Sequence, residues 1–311
     1  MEQGRWSERR GRERSTMHTV SQYKLVPLQE ADLRRLAESA LLEDRAWHDI
    51  TTDALVPDDQ PGRAVIIAKA EGVLAGMPVA RAVFAAADAS LRWTAHAEDG
   101  SRLASGDRVA TIEGSLASVL RGERVALNYL THLSGVATAT AAVVKAMRGT
   151  SCRLRDTRKT LPGLRALQKY AVRSGGGLNH RTSLAEGVLI KDNHLAALRA
   201  RGLGIAEAMH LARAASPHMR VEIEVTTVPE ARQAADAGAD ELLLDNMSLP
   251  QIREVVALMA GRERRPALEA SGGITLENAA EIAETGVDYI SMGAITHSAK
   301  ALDMSLEVEV G

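Results

Sequence analysis

The amino-acid sequence predicts an α/β protein in which a small α+β unit is followed by an incomplete βα barrel. Three observations support this prediction. Short strand-like runs, each followed by a helical stretch, recur about every 20 to 35 residues in the second half of the chain. The first third is instead rich in strands and turns. A long helical stretch with few breakers separates the two patterns, and 311 residues suffice for two unequal domains.

The elements of the α+β unit follow from side-chain spacing and turn residues. Apolar residues at helical intervals predict a helix over residues 28–40, and Asp49 predicts a capped turn with the residues after it. An alanine-rich helix is predicted at residues 77–87. Strands bounded by Asp-Gly and Gly-Asp turns are predicted at residues 64–70, 91–97 and 108–113.

Residues 118–147 form a long helical pattern with few breakers, interrupted at Gly135, and we place the domain junction within it. Six strand-like runs follow. A complete βα barrel has eight units, so six predict an incomplete barrel that another part of the chain closes. The runs are residues 153–155, 188–190, 221–225, 241–244, 267–268 and 289–292.

Polar residues stand at the end of each run. In βα barrels the loops after the carboxyl ends of the strands converge on the active site, so these residues are expected to face one mouth. The clusters are Asp156-Thr157-Arg158-Lys159, Lys191-Asp192-Asn193-His194, Glu222 with Glu224, Asp245-Asn246, residues 269–273 and residues 293–297.

Composition excludes several classes of protein. A formal net charge of −2 and 3% aromatic residues lack the basic balance and the stacking groups of a nucleic-acid-binding protein. No apolar run approaches the roughly 20 residues that cross a bilayer, so no membrane partner is expected. The single cysteine, Cys152, favours a reducing, cytoplasmic compartment. Residues 1–23 are arginine-rich without an apolar centre and are expected to be a disordered basic leader.

Five cationic residues are expected around the mouth. Arginine recognises carboxylate or phosphate through two hydrogen bonds, whereas lysine acts as a point charge. Any one of these side chains alone is typical of a solvated surface, but five at strand ends and in one loop favour a ligand with several anionic groups. The residues are Arg158, Lys159, His180, Arg181 and Lys191.

Glycine-rich segments are candidates for phosphate binding. The strongest is Ser271, Gly272 and Gly273, because it follows a strand and precedes a helix predicted to begin near Leu276, whose free N–H groups would face an anion. Gly293 with Thr296 and His297 would complete the same cradle. The triplet at residues 175–177 precedes His180 and Arg181 and is interpreted as a binding loop, although a flexible turn is the alternative.

Two acidic residues, Glu224 and Asp245, end successive strands and are expected to meet at the centre of the mouth. Carboxylates amid cations can hold Mg²⁺ through pyrophosphate, or stabilise positive charge that develops on a sugar ring. The alternative is that they only neutralise the neighbouring lysines.

Several segments resemble the quinolinate phosphoribosyltransferase family. The densest agreement is DTRKTLPGLRALQKYAVRSGGGLNHR at residues 156–181, followed by LIKDNH at residues 189–194. It continues in RVALNYLTHLSGVATAT from Arg124, VEIEV from Val221, LLLDN from Leu242, EASGGI from Glu269 and SMGAITHS from Ser291. The resemblance covers nearly the whole chain beyond the leader.

The resemblance implies an N-terminal sandwich domain at residues 24–134, completed by residues 298–311, and an incomplete βα barrel at residues 135–297. It implies an obligate homodimer, or a larger assembly, in which one subunit's N-terminal domain covers the other's barrel mouth. The implied reaction transfers phosphoribose from phosphoribosyl pyrophosphate to quinolinate with decarboxylation. Its product, nicotinate mononucleotide, belongs to NAD biosynthesis.

The resemblance also implies roles for individual residues. Four side chains would bind the two carboxylates of quinolinate: Arg124, Arg158, His180 and Arg181. Lys159 would lie between quinolinate and the sugar phosphate, and Lys191 would hold pyrophosphate. Glu224 and Asp245 would serve the ribose and, directly or indirectly, Mg²⁺. The other predicted substrate-binding residues are Thr157 and the phosphate cradle of Ser271, Gly272, Gly273, Gly293 and His297.

One departure from the family pattern adjoins a substrate arginine. After Arg181 the family usually has an apolar residue and a glycine, whereas this chain has Thr182 and Ser183, and Ala185-Glu186 displaces a usual aspartate. A related pyridine acid such as nicotinate is therefore an alternative substrate, although the dense arginine set favours a diacid. A Schiff-base aldolase that uses Lys159 or Lys191 and a non-catalytic pyridine-acid sensor are further alternatives.

Overall fold

A computed structural model of the chain describes residues 28–309, so the basic leader predicted at residues 1–23 lies outside the described part. Its first part begins with α1 (Glu30–Glu43), a short 3₁₀ helix (Ala46–His48) and α2 (Ile50–Leu55). Asp49 caps α2, because its carboxylate accepts hydrogen bonds from the N–H groups of Thr51 and Thr52. The remaining elements are β1 (Pro61–Ala68), β2 (Gly72–Val73), α3 (Met77–Ala87), β3 (Arg92–Ala95), β4 (Arg102–Leu103) and β5 (Arg108–Ser115).

The N-terminal domain is an antiparallel sheet with helices packed on it. Its strand order is β12-β1-β5-β3, where β12 (Met304–Val308) comes from the far end of the described chain. β12 pairs with β1 from Ala68 opposite Met304 to Ala64 opposite Val308. Buried side chains of this sheet and of α1 and α3 form an apolar core that includes Leu41, Ile66 and Phe84.

A long helix, α4 (Leu116–Ala146), joins the two domains. Ser115 caps its beginning by accepting a hydrogen bond from the N–H group of Ser118. Leu127 and Leu130 on α4 belong to the N-terminal core, whereas Leu133 and Val143 belong to the core of the second domain. The helix therefore lies across both cores.

The second domain contains six parallel strands within residues 28–309, in the order β6-β11-β10-β9-β8-β7. The sheet stays open between β6 and β7, as expected of an incomplete barrel. The strands are β6 (Arg153–Arg155), β7 (Val188–Ile190), β8 (Val221–Val225), β9 (Glu241–Asp245), β10 (Ala267–Ser271) and β11 (Tyr289–Ser291). The helices are α5 (Arg165–Ser174), α6 (Asp192–Arg199), α7 (Ile205–Ala215), α8 (Val228–Asp236), α9 (Leu249–Met259), α10 (Ala279–Ala283) and α11 (Ala294–His297).

Strand register arranges the inward-facing side chains in two tiers. Glu222 on β8 lies opposite Glu241 on β9, in the lower tier. The upper tier lies at the carboxyl ends of the same strands. It contains Glu224, two residues beyond Glu222, and Asp245, four residues beyond Glu241, because alternate residues of a strand face the same side. The site therefore has a floor and a rim.

The predicted fold class is confirmed, and the bounds predicted for β6, β7 and β8 and for α3 match the structure. Two local interpretations are wrong. The helix expected near Leu276 begins at Ala279, because the Asn278 side chain binds the N–H of Thr275 and the C=O of Gly273 and holds a turn there. Among residues 28–309, no helix is both long and apolar enough to cross a membrane.

The glycine triplet at residues 175–177 is not a binding loop. A side chain at Gly175 or Gly177 would collide with Thr140 on α4, so both glycines serve the close packing of α5 against α4. Gly176 between them has a φ of +88°, which favours glycine, and the chain then turns to lie beside β6, where Leu178 pairs with Arg155.

Candidate active site

The carboxyl ends of the barrel strands enclose a cavity of about 530 Å³. Nine of the residues predicted from the sequence line it: Thr157, Arg158, Lys159, His180, Arg181, Lys191, Glu224, Asp245 and Ser271. The other lining residues are Asp156, Leu189, Leu243, Asn246, Glu269 and Ser291. The five predicted cations and both predicted acids thus meet at one mouth.

Four predicted phosphate-binding residues flank the cavity rather than line it. Gly272 and Gly273 follow Ser271 with φ values of +88° and +61°, so the chain turns sharply at the mouth. A Cβ atom at Gly293 would lie 2.9 Å from Cδ of Lys159 and 3.3 Å from the ring of His297. Glycine at 293 therefore lets the lysine stem cross the backbone closely.

Arg124 lies elsewhere in the chain. It is exposed on α4, and its nearest carboxylate is that of the adjacent Glu123, at 4.0 Å. It is not among the residues that line the mouth of the same chain. This is the one predicted substrate arginine that the fold does not bring to the cavity within the described residues.

The floor of the mouth is a buried network of charges. His180 Nε2 lies 2.9 Å from a carboxylate oxygen of Glu222. Arg155 donates from Nη1 to Glu241 and, at 2.6 Å, to Glu269. The Arg155 guanidinium also lies 3.2 Å from the ring centre of Tyr289, in a cation–π contact. All of these side chains are at least 95% buried.

The floor distributes its charges unequally. Burial opposes the imidazolium charge, but Glu222 and Glu269 outweigh it and raise the pKa of His180 above the ordinary 6.5. Burial and the charge of Glu222 raise the pKa of Glu241 to about 8. For Glu269, burial is outweighed by His180 and Arg155, which lower its pKa. Glu269 therefore carries the negative charge opposite Arg155, and Glu241 keeps its proton at neutral pH.

A second buried network fixes the segment that carries His180. Asp156 accepts hydrogen bonds from the backbone N–H of His180 at 2.8 Å and from the amide of Asn179 at 2.6 Å. Lys169 on α5 donates to the same carboxylate and, at 2.9 Å, to the carbonyl of His180. Both the backbone and the ring of His180 are thus held before any ligand binds.

The rim brings two carboxylates together beside a lysine. Lys191 Nζ lies 3.4 Å from Glu224, and Asp245 accepts a hydrogen bond of 2.8 Å from the Asn246 side chain. Burial raises the pKa of Glu224, Lys191 opposes that shift, and the negative charge of Asp245 adds to it. Because the two acids repel each other, a divalent cation would be favoured between them.

The loop after Arg181 explains the departure from the family pattern. Thr182 donates from its N–H to Glu186 at 2.7 Å, and its hydroxyl binds the same carboxylate. Arg181 donates from Nη1 to the carbonyl of Gly187 at 3.0 Å. Thr182 and Glu186 therefore pair with each other and close the loop that carries Arg181.

Sequence reasoning missed most of the floor. Arg155, Glu241 and Tyr289 received no role, and neither did Lys169 on α5. A signal was present, because charged residues recur within otherwise apolar strand runs, where an unpaired charge would be costly. Which of those charges meet depends on the register of the sheet, which the sequence pattern does not give.

Comparison with known proteins gives matches over most of the chain. Family models described as the C-terminal and N-terminal domains of quinolinate phosphoribosyl transferase match residues 136–307 and 49–134. A Bacillus subtilis (strain 168) protein named probable nicotinate-nucleotide pyrophosphorylase (carboxylating) is 42% identical over 277 residues, 89% of this chain and 93% of its own length.

A human protein and a solved structure give the same result. The human protein, named nicotinate-nucleotide pyrophosphorylase (carboxylating), is 40% identical over 89% of this chain and 91% of its own length. The structure of the nicotinate-nucleotide pyrophosphorylase from Francisella tularensis superposes with a TM-score of 0.85 and 38% identity, covering 92% of this chain and 99% of that one.

Proposed function

Because the chain belongs to the quinolinate phosphoribosyltransferase family, we infer that its mouth joins quinolinate to phosphoribosyl pyrophosphate. The products are nicotinate mononucleotide, CO₂ and pyrophosphate, in NAD biosynthesis. The observation that carries this inference is the cavity itself, where cations suited to a diacid adjoin cations and acids suited to a sugar pyrophosphate.

Quinolinate is proposed to bind against the cationic side of the mouth. Arg158 and Arg181 suit planar carboxylates, and Thr157 lies beside them. His180, whose pKa is raised by Glu222 and Glu269 against the effect of burial, adds a donor from the floor. A diacid with two adjacent carboxylates makes full use of this set, whereas nicotinate would leave part of it unpaired.

Phosphoribosyl pyrophosphate is proposed to span the rest of the mouth. Lys159 would contact its phosphate where the lysine crosses Gly293, and Ser271, Gly272, Gly273 and His297 would complete the 5′-phosphate cradle. Lys191 would hold the pyrophosphate. Glu224 and Asp245 would face the ribose, where their negative charge stabilises a ring that becomes positive during the reaction.

Mg²⁺ is the proposed metal, and the donor set fits it. Glu224 and Asp245 offer carboxylate oxygens close enough for mutual repulsion, which a hard divalent cation relieves. When bound, the ion neutralises the leaving pyrophosphate. The chain's own residues orient the two substrates and stabilise the charges around them.

The chemistry needs no covalent nucleophile from the protein. The pyridine nitrogen forms a bond to the anomeric carbon while the bond from that carbon to pyrophosphate breaks. The carboxylate adjacent to the new N⁺ then leaves as CO₂, its electron pair stays on the ring carbon, and that carbon takes up a proton. Positioning and electrostatic stabilisation by the mouth account for catalysis.

We further propose that the active unit is a homodimer, for which an exposed apolar surface gives support. Leu42, Trp47, Ile50 and Leu55 are 42% to 84% exposed, which is unusual for large apolar side chains grouped along the chain. Arg121 on α4 ties this segment to its helix through Asp53 at 2.7 Å. Arg124 lies one turn further along α4, beside the surface that a second copy would cover.

The test of a shared site is complementation between two inactive variants. If Arg124 serves the partner's mouth, a mixed dimer of Arg124→Ala and Lys159→Ala subunits has one intact site and one doubly damaged site. Random exchange makes half the dimers mixed, so roughly a quarter of wild-type activity should return. If activity does not return although native mass spectrometry detects mixed dimers, the shared site is excluded.

The test of the reaction is an assay of the purified chain with quinolinate, phosphoribosyl pyrophosphate and Mg²⁺. Nicotinate mononucleotide and CO₂ should form in equal amounts. Turnover of nicotinate without turnover of quinolinate would contradict the proposed substrate.

A cytoplasmic site of action is proposed as well, in keeping with the single cysteine, Cys152, whose thiol is buried and unpaired.

A further inference from the structure

Gln168 is a buried polar side chain on α5 with no role so far. Its side chain is fully shielded from solvent. The backbone N–H of Leu161 donates to its Oε1 at 2.9 Å, and its Nε2 donates to the carbonyl of Thr296 at 3.0 Å. Nε2 also lies 2.9 Å from Nε2 of His132 on α4. The amide thus touches three separate segments.

The two backbone partners fix the orientation of the amide. A backbone N–H can only donate and a carbonyl can only accept, so Oε1 must face Leu161 and Nε2 must face Thr296. The second N–H of the amide then points at His132 Nε2, which has to accept. His132 is therefore neutral with its proton on Nδ1, and burial, which lowers its pKa, favours the same state.

The two segments that Gln168 joins are opposite sides of the phosphate end of the mouth. Leu161 lies two residues after Lys159. Thr296 lies in α11, the helix that begins directly after Gly293. The Thr296 hydroxyl binds the carbonyls of Lys159 at 2.8 Å and Gly293 at 2.9 Å. The lysine stem crosses Gly293 at a distance that leaves no room for a side chain there.

We propose that Gln168 is a positioning residue for phosphoribosyl pyrophosphate, because it holds the Lys159 segment against the Gly293 turn. This inference rests on the proposed function. Quinolinate binding should depend on it much less, since His180 is held by the separate network around Asp156. Gln168 itself touches neither substrate in this proposal, and its effect passes through Lys159 and Thr296.

The geometry also makes the link sensitive to acid. A proton on Nε2 of His132 would set two donors face to face and force the amide either to turn, losing both backbone partners, or to move away. The cleft beside His132 contains Glu43, Asp44 and Tyr129 as its ionisable groups, contributed by α1, the residue after it and α4. Protonation of His132 should therefore weaken the hold on Lys159.

The first experiment compares Gln168→Met, which keeps the volume and removes the hydrogen bonds, with the exposed control Gln233→Met. The KM for phosphoribosyl pyrophosphate should rise about 10-fold in Gln168→Met, as expected for the loss of the two hydrogen bonds to the backbone of Leu161 and Thr296. Quinolinate affinity, measured alone by calorimetry, should stay within about twofold. The control should match the wild type in both.

The second experiment follows the KM for phosphoribosyl pyrophosphate against pH. His132→Gln places an amide oxygen that always accepts where the ring nitrogen accepted only when neutral. This variant should therefore keep its low KM in acid, below the ordinary imidazole pKa of 6.5, where the wild type loses affinity. His132→Leu, which lacks an acceptor, should show a raised KM at every pH.

The outcomes separate this inference from the proposed function. A wild type that does not turn over quinolinate overturns both. An active wild type with an unchanged KM in folded Gln168→Met, or an equal loss of affinity for both substrates, overturns the positioning role alone. Should Gln168→Met not fold, Gln168→Glu takes its place, because it keeps the shape and the acceptor for Leu161 but repels the carbonyl of Thr296, and the same rise in KM is required.

Discussion

The floor of the mouth and its rim differ in the partners of their charged side chains. On the floor, Arg155, Glu222 and Glu269 are buried and bound to other side chains of the protein. On the rim, Lys159 is exposed, and Lys191 meets Glu224 only at 3.4 Å. β8 contributes to both, with Glu222 below and Glu224 above.

This difference separates the charges that stabilise the fold from the charges that are free to bind ligands. A buried charge that loses its partner destabilises the protein strongly, whereas an exposed pair contributes little to stability. The floor should therefore govern folding and the state of His180, and the rim should govern turnover.

The largest effect on stability is expected from Arg155→Met. This change leaves Glu269 and Glu241 without their guanidinium, so the free energy of unfolding should fall by about 3–5 kcal/mol. Urea denaturation measures it. The matched control is Arg148→Met at an exposed position, which should change stability by less than about 0.5 kcal/mol. Equal losses in the two variants would mean that the ion pairs of the floor do not stabilise the fold.

The largest effect on activity is expected from the rim. Lys159→Ala and Arg158→Ala should each lower turnover roughly 100- to 1,000-fold, because they remove charges aimed at the ligands. Their thermal unfolding should stay close to that of the wild type. Circular dichroism and melting curves decide the matter, and a collapsed fold in both variants would assign these residues to structure.

Two glutamates on one strand provide the closest comparison. Glu222→Gln removes the charge beside His180, so the KM for quinolinate should rise roughly 10- to 100-fold, and stability should fall by about 1–3 kcal/mol. Glu224→Gln, two residues away, should instead impair the use of phosphoribosyl pyrophosphate and Mg²⁺ with stability nearly unchanged. Steady-state kinetics for both substrates test this, and similar profiles for the two variants would remove the distinction between the tiers.

The stability of the floor should also depend on pH. The folded pKa of Glu241, about 8, is above its ordinary 4.5, so the folded state holds a proton that the unfolded state releases. The free energy of unfolding should therefore fall as the pH rises from about 4.5 to about 8. His180, whose pKa is also raised, acts in the same direction above its ordinary 6.5.

Glu241→Gln should flatten this dependence, because glutamine stays neutral at every pH. Urea denaturation at several pH values from about 5 to about 8 measures the slope. The control is Glu254→Gln, the same chemical change at an exposed position, which should leave the slope of the wild type. A slope that persists in Glu241→Gln would assign it to other groups.

The rim could be predicted from the sequence, whereas most of the floor, including Arg155, Glu241 and Tyr289, could not. Strand ends converge in any βα barrel, so Lys159, Lys191 and Asp245 could be placed at one mouth before the fold was known. The partners of Arg155 depend on register, because Glu269 pairs with Leu243, two residues beyond Glu241, and the sequence pattern does not give that pairing. The start of α10 was mispredicted for a similar reason. The Asn278 side chain accepts a hydrogen bond from the N–H of Thr275 and holds a turn before the helix, and residue spacing does not reveal such a bond.

The return of β12 to the edge of β1 has a consequence for biosynthesis. The ribosome makes β12 only after every strand of the barrel, so a nascent N-terminal sheet leaves the backbone of β1 unpaired on that side while the barrel emerges. An open strand edge invites pairing with another chain. The N-terminal sheet is therefore completed only after the barrel strands have been synthesised, and until then the free edge of β1 can pair with another chain.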